Sequence, residues 1–150
     1  MIGLKQKLYH HCQDFLDKRI FNAREAIRIA QESANDETKS SAGDKYETGR
    51  AMMQLEIEKN ATQLEEALKQ KVILDSINVE HQPVKIQIGS LVFTDHRNFF
   101  LAISVGLVVI EDKSFAVVSA QSPIGSKLIG LKSGDTFSFG NKTYKVGQIA

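Results

Sequence analysis

The chain has 150 residues, of which 42% are hydrophobic and 25% charged, so it can form a core in one domain or in two small ones. A formal net charge of +1 excludes a sequence-wide electrostatic attraction to nucleic acid. A single cysteine excludes an internal disulfide framework, and the first residues lack the pattern of a signal peptide, so we expect a cytoplasmic protein. No apolar run reaches the roughly 18 residues of a membrane helix, so we expect no membrane partner.

The first 34 residues carry the pattern of one long helix. From residue 4 to about residue 34, apolar side chains recur in steps of three and four, with neither proline nor internal glycine between them. The predicted seam consists of Leu4, Leu8, Phe15 or Leu16, Ile20, Ala23, Ile27, Ala30 and Ala34.

A second helical arm is predicted from about residue 44 to residue 77. Its apolar set is looser: Met53, Ile57, Ala61, Leu64, Leu68, then Val72 or Leu74, and Ile77. Two arms of similar length fold back on each other because a lone helix would leave its apolar stripe in water. Residues 1–78 are therefore predicted to form an antiparallel coiled-coil hairpin.

The tip of this hairpin is polar and acidic. Residues 35–48 hold two lysines and four carboxylates, namely Asp36, Glu37, Asp44 and Glu47. Spacing by three places Asp44 and Glu47 on one helix face. Two interpretations stay open: the pair acts on a partner, or it caps a helix through Ser41-x-x-Asp44 or Asp44-x-x-Glu47. Asp36 and Glu37, on the opposite side of the tip, are the second choice as ligands.

The helical periodicity ends at residues 79–83, where Pro83 disfavours further helix, so a linker is predicted there. Residues 84–150 are predicted to form an antiparallel β domain, which makes the whole chain α+β. Its predicted strands cover residues 84–88, 91–93, 99–105, 107–110, 115–119, 136–139 and 142–146. Gly140-Asn141 indicates a hairpin between the last two strands.

One short helix is predicted inside this domain. Ser122 is placed as its N-cap, Pro123 as its first residue and Gly130 just past its end. Its apolar face is predicted to consist of Ile124, Leu128 and Ile129.

The stretch from Val118 to Asp135 (VSAQSPIGSKLIGLKSGD) resembles the carboxy-terminal signature of the bacterial Gre transcript-cleavage factors, a family of transcription elongation factors. In that family a strand, a Ser-Pro-apolar helix, a Leu-Ile-Gly end and a Gly-Asp turn follow in the same order. The layout of a helical hairpin, a linker and a small β-rich domain also agrees. The resemblance implies that residues 84–150 form an FKBP-like domain.

The resemblance further implies a mechanism. Family members insert the hairpin into the secondary channel of RNA polymerase and reach the 3′ end of the nascent RNA. Two tip carboxylates, here Asp44 and Glu47, then help the polymerase hold a second Mg²⁺ that activates a water for cleavage of backtracked RNA. By this resemblance the chain is not expected to be an enzyme by itself or to have a cofactor of its own. It is expected to share Mg²⁺ with the polymerase and to take no small-molecule substrate.

Other site residues follow from the same resemblance. Gln121, Ser122 and Pro123 correspond to the segment that docks on the polymerase, although the family usually has Asp or Asn where this chain has Gln121. After the acidic pair the family continues Asn-Ala-Glu-Tyr, whereas this chain has residues 48–51 TGRA, and a length change is needed in the second arm. A basic stretch on the first arm contacts RNA in the family, which implicates Arg24 and Arg28. The alternative for Arg28 is an ordinary ion pair with Glu32.

Three functions are therefore compared. The first is a secondary-channel factor that stimulates cleavage of backtracked RNA, and the second is a channel-binding regulator that does not promote cleavage. The third is a coiled-coil adaptor or chaperone-like module unrelated to transcription.

Overall fold

A computed structural model describes the backbone of residues 1–40 and 44–150 and the side chains of residues 1–35 and 47–150. The predicted α+β class is confirmed. The elements are α1 (Ile2–Ser40), α2 (Asp44–Asp75), β1 (Leu91–Thr94), β2 (Asn98–Ala102), β3 (Gly106–Ile110), β4 (Lys113–Ser119), α3 (Pro123–Leu128), β5 (Thr136–Phe139) and β6 (Lys142–Ile149). The chain divides into two compact units, Phe15–Lys71 and Met1–Asp14 with Val72–Ala150. The predicted linker, residues 79–83, falls within the second unit.

The unit formed by residues 15–71 is a pair of helices whose first arm follows the predicted seam. Leu16, Ile20, Ala23 and Ala30 are buried, and Ile27 is half-buried. Leu16 rather than Phe15 occupies the alternative position, since Phe15 is only half-buried. A spacing of three or four residues places these side chains on one stripe.

The second arm departs from its predicted seam. Ala61 and Leu68 were expected to be buried, but both are exposed, whereas of the alternatives Val72 and Leu74 it is Leu74 that is buried. Three predicted members, Met53, Ile57 and Leu64, are half-buried on the stripe, and Asn60, Ala67 and Gln70 complete it. Selection by hydrophobicity favoured Ala61 over the neighbouring Asn60 and Leu68 over the smaller Ala67.

Asn60 is compatible with burial because its amide is satisfied inside its own helix. Its Nδ2 donates to the backbone oxygen of Glu56 at 2.8 Å and to the Glu56 carboxylate at 3.0 Å. A buried amide that carries its own partner avoids most of the desolvation penalty. The other seam amide differs, since the buried Oε1 of Gln70 has no hydrogen-bond donor among the described residues.

Removing that unsatisfied acceptor is expected to stabilise the hairpin. Gln70→Met keeps the unbranched shape and a good helix propensity, and we expect the free energy of unfolding to rise by about 1 kcal/mol. Gln63→Met is the matched control, because Gln63 lies on the exposed side of the same helix. That control should change stability by less than about 0.5 kcal/mol. Urea denaturation of both variants checks the difference, and equal midpoints would contradict it.

Helix α1 is longer than predicted. It continues from the predicted end near Ala34 to Ser40, so the backbone at Asp36 and Glu37 is helical. No residue between 34 and 40 is proline or glycine, and polarity alone does not end a helix. Residues 41–43, which were predicted to belong to the tip, lie outside the described residues.

The other unit is built on a six-stranded sheet with the order β3-β4-β2-β1-β6-β5. The sheet is mixed and not purely antiparallel as predicted, because β2 and β4 run parallel, with Phe99 opposite Ala116. Strand β4 buries Phe115 and Val117, whereas β3 exposes Leu107 and Val109. Strand β4 therefore lies inside the sheet, although its sequence is the less apolar of the two, and β3 forms the edge.

Residues 84–88, predicted as a strand, form only an isolated bridge between Lys85 and Lys132. The Ile86 N–H donates to the Leu131 carbonyl, and the Gly130 N–H donates to the Ile86 carbonyl, each at 2.8 Å. Gly89, with φ +97°, then turns the chain, and Pro83 has no N–H to extend a ladder.

Short helix α3 covers one face of the sheet. Ile86, Val92, Phe99, Leu101, Ala116, Leu128, Phe137, Tyr144 and Val146 form the buried core on that face. In the same unit Leu8 and Cys12 of α1 are fully buried. Burial raises the pKa of the Cys12 thiol to about 12, so Cys12 stays protonated and serves as a packing residue. The Gly140-Asn141 hairpin between β5 and β6 is confirmed.

Candidate functional site

Two of the four carboxylates of the tip lie in the first turn of α2. Asp44 is the first residue of that helix and Glu47 follows three residues later. Positions three apart share one helix face and differ by about 4.5 Å along the axis. The Glu47 side chain is exposed. The side chains of Asp36, Glu37 and Asp44 lie outside the described residues, and so does the capping alternative through Ser41.

The chemistry of this position suits a shared metal ion. The N-terminal end of a helix carries partial positive charge, which makes it a favourable place for acidic side chains. Mg²⁺ takes one or two protein carboxylates and fills its remaining positions with water or phosphate oxygens. Among the described residues no group of three or more His, Cys, Asp or Glu side chains is arranged to hold a metal. Asp44 and Glu47 by themselves could supply at most two of the ligands that such an ion takes.

Arg28, one of the two residues implicated in RNA contact, is paired within its own helix. Its guanidinium donates to Glu32 at 2.7 Å and to Glu25 at 2.5 Å. The hydrogen bond to Arg28 lowers the pKa of Glu25, and these two carboxylates raise the pKa of Arg28. All three side chains are solvated, so the cluster matches the expected alternative of a surface ion pair.

Arg24, the other implicated residue, lies at a groove on the surface of the hairpin. The groove has a volume of 280 Å³ and is lined by Asp17, Ile20, Phe21, Arg24, Leu68 and Lys71. The beginning of the first arm therefore lies beside the end of the second, as an antiparallel hairpin requires. Phe21 is 65% exposed and has a basic side chain from each helix in the same groove.

Phe21 and Lys71 were not among the predicted site residues. The exposure of Phe21 can be predicted from the sequence, since residue 21 falls between the seam positions 20 and 23 and so faces outward. An exposed aromatic ring beside cations suits a nucleobase or an acidic chain.

The predicted docking segment is a rigid corner in the other unit. Ser122 caps α3: its hydroxyl accepts from the backbone N–H of Gly125 at 3.0 Å and donates to the carbonyl of Ser119 at 2.7 Å. Pro123 follows at the start of the helix, as predicted. Ser122 is thus occupied by capping, while Gln121 and Pro123 are exposed.

Gly125 fixes this corner. A Cβ at residue 125 would lie 1.9 Å from the carbonyl oxygen of Ser119. Helix α3 therefore packs against the end of β4 more closely than any side chain allows. Leu128 is fully buried and Ile124 half-buried, but Ile129, predicted to share that apolar face, is 44% exposed. Ile129 lies after the last helical residue, where the backbone has left the helical conformation with ψ 132°.

No protein-family model, curated protein or solved structure matches this chain. Within the described residues no helix is long and apolar enough to cross a membrane. The functional assignment of the tip, the groove and the docking corner therefore rests on their own chemistry and on the resemblance of residues 118–135.

Proposed function

We propose that this chain is a secondary-channel factor of bacterial RNA polymerase that stimulates the polymerase's intrinsic cleavage of backtracked RNA. The observation that carries the proposal is the position of Asp44 and Glu47, one turn apart at the very start of α2. A carboxylate pair at the end of a helical hairpin is suited to complete a Mg²⁺ site inside a partner's active centre.

The dimensions of the hairpin support this role. Residues 15–40 of α1 would span about 39 Å, and each helix is about 10–12 Å across. A two-helix rod of this kind is narrow enough to enter a channel and long enough to carry its end to a buried site. The buried stripe of the first arm includes the small residues Ala23 and Ala30, which let the helices approach closely.

The corner at the start of α3 supports docking by the other unit. Its backbone is held by the Ser122 cap and by the close approach at Gly125, while Gln121 and Pro123 remain exposed. Rigid, exposed loop residues lose little conformational entropy on binding. Arg24 and Lys71, beside exposed Phe21, provide a further surface for the RNA or for an acidic element of the polymerase.

A second candidate function is a channel-binding regulator that does not promote cleavage. Gly49 favours it, because a glycine two residues after Glu47 weakens the helix that must hold the pair by about 1 kcal/mol. A glycine at this point loosens the geometry of the two carboxylates. The hairpin would then occupy the channel without placing a metal ion.

The deciding experiment measures RNA cleavage in a stalled, backtracked complex of bacterial RNA polymerase with Mg²⁺, with and without the protein. Faster release of short 3′ RNA fragments is the expected result. Binding of the protein with flat or slower cleavage supports the regulator. Absence of binding to the polymerase removes both functions and leaves the coiled-coil adaptor or chaperone-like module.

A further inference from the structure

Lys5 is a buried cation in the unit formed by residues 1–14 and 72–150. Its side chain is 1% exposed, although lysine is almost never buried without a paired charge. Its Nζ donates to the backbone oxygen of His81 at 2.7 Å. No carboxylate of the described residues forms an ion pair with it. Burial lowers the pKa of Lys5, because the ammonium has lost much of its hydration.

A cavity of 140 Å³ lies against this side chain. Its walls come from Lys5, Ser76, Asn78, His81, Pro83, Gln87, Ile88 and Gly89. No aspartate or glutamate lines it. The carbonyl end of α2, which stops at Asp75, offers about half a negative charge. The ammonium is therefore only partly compensated by the protein.

The polar groups of the cavity favour an acceptor-rich ligand. Within the described residues, one of the three N–H donors of the Lys5 ammonium has an acceptor, the backbone oxygen of His81. The Oδ1 of Asn78 accepts from the backbone N–H of Glu80 at 3.0 Å, and the described residues give the Asn78 NH₂ group no acceptor. An anion with several oxygens would satisfy both groups at once and supply the missing negative charge.

We propose that the cavity beside Lys5 binds a small oxyanion, a phosphate or a carboxylate group, through the Lys5 ammonium and the Asn78 amide. The size agrees, since a cavity of about 150 Å³ holds a molecule as large as benzene. Binding there ties the start of α1 to the segment after α2, because Lys5 lies in α1 and Asn78 follows α2. The proposal is independent of the tip and of the polymerase.

Thermal unfolding of the full chain in phosphate, in acetate and in chloride at equal ionic strength tests the proposal. A saturable rise of Tm with phosphate or acetate, but not with chloride, is expected, because a ligand that binds only the folded state stabilises it. Acetate alone would assign a carboxylate site, and phosphate alone a phosphate site. Phosphate also stabilises proteins without binding, so the variants decide.

Lys5→Met removes the charge and keeps the length of the side chain, and we expect the affinity for the oxyanion to fall by about tenfold or more. Lys7→Met is the matched control, because Lys7 lies two residues away, is exposed and pairs with Glu111. Its affinity should stay within about twofold of the parent. Equal Tm responses of both variants and the parent would overturn the proposal.

Asn78→Asp provides a second test if Lys5→Met does not fold. It places a carboxylate at the cavity wall, where it repels an incoming anion and supplies a counter-charge for Lys5. The expected result is a loss of the oxyanion response of about tenfold or more with the fold retained. An unchanged response of this variant would count against the site.

Discussion

The double variant Asp44→Asn/Glu47→Gln is expected to lose at least about tenfold of the stimulated RNA cleavage rate while it still binds the polymerase. The amides keep the length of the side chains but bring no negative charge, and Mg²⁺ is held by carboxylate oxygens. Asn caps a helix as well as Asp does, and Gln serves in a capping box as Glu does. The variant therefore removes the proposed ligands without removing a cap.

The rate of appearance of short 3′ fragments, measured across a range of Mg²⁺ concentrations, checks this result beside the Tm of each protein. Raised Mg²⁺ should restore part of the rate, because the loss is one of metal affinity. Asp36→Asn/Glu37→Gln is the matched control, since it removes the same charge from the last turns of α1. It should keep both rate and binding.

Two results would contradict the assignment of Asp44 and Glu47 as Mg²⁺ ligands. An equal loss in both double variants would mean that the overall charge of the tip matters and not a ligand pair on α2. A loss that follows the fraction of unfolded protein would mean that the variant fails through instability and not through the loss of metal ligands.

The helical arms illustrate what spacing predicts well. On α1 the steps of three and four selected Leu16, Ile20 and Ala23 because every seam position is apolar. On α2 the same spacing selected Met53, Ile57 and Leu64 but missed the polar residues Asn60 and Gln70 on the same stripe. A polar seam residue is tolerated where a local partner satisfies it, as Glu56 does for Asn60, and such a partner cannot be read from hydrophobicity.

The sheet shows a different limit. The strands after residue 90 were predicted by alternation and turn residues, but their order was not, because pairing depends on which strand is buried on both faces. Residues 84–88 alternate like a strand, yet Ile86 pairs with the segment after α3, about 45 residues away in the chain. Backbone partners that distant in sequence leave no local signal.

In the candidate site, too, features that depend on nearby residues were predicted and features that depend on distant contacts were not. The Ser122 cap and Pro123 were predicted, since both depend on neighbours within three residues. The demand for glycine at residue 125 was not, because it arises from the carbonyl of Ser119. Burial of Lys5 was equally unpredictable, as lysine is normally assigned to the surface.

Gly125→Ala is expected to lower the free energy of unfolding by about 3 kcal/mol. In an open helix the same change would stabilise the protein by up to about 1 kcal/mol, because glycine is a poor helix former. Here the new methyl group would lie 1.9 Å from the Ser119 carbonyl oxygen. That oxygen also accepts the Ser122 hydroxyl at 2.7 Å and the Ser122 N–H at 3.2 Å, so it cannot retreat without breaking the cap.

Gly3→Ala is the matched control, since residue 3 also lies in a helix but a Cβ there meets nothing within 4 Å. Urea denaturation should give a lower midpoint than the parent for Gly125→Ala and an equal or higher midpoint for Gly3→Ala. Equal midpoints would contradict the close packing of α3 on β4. If Gly125→Ala still folds at low temperature, the proposed docking corner is displaced. The affinity of this variant for the polymerase should then fall, although its tip residues are unchanged.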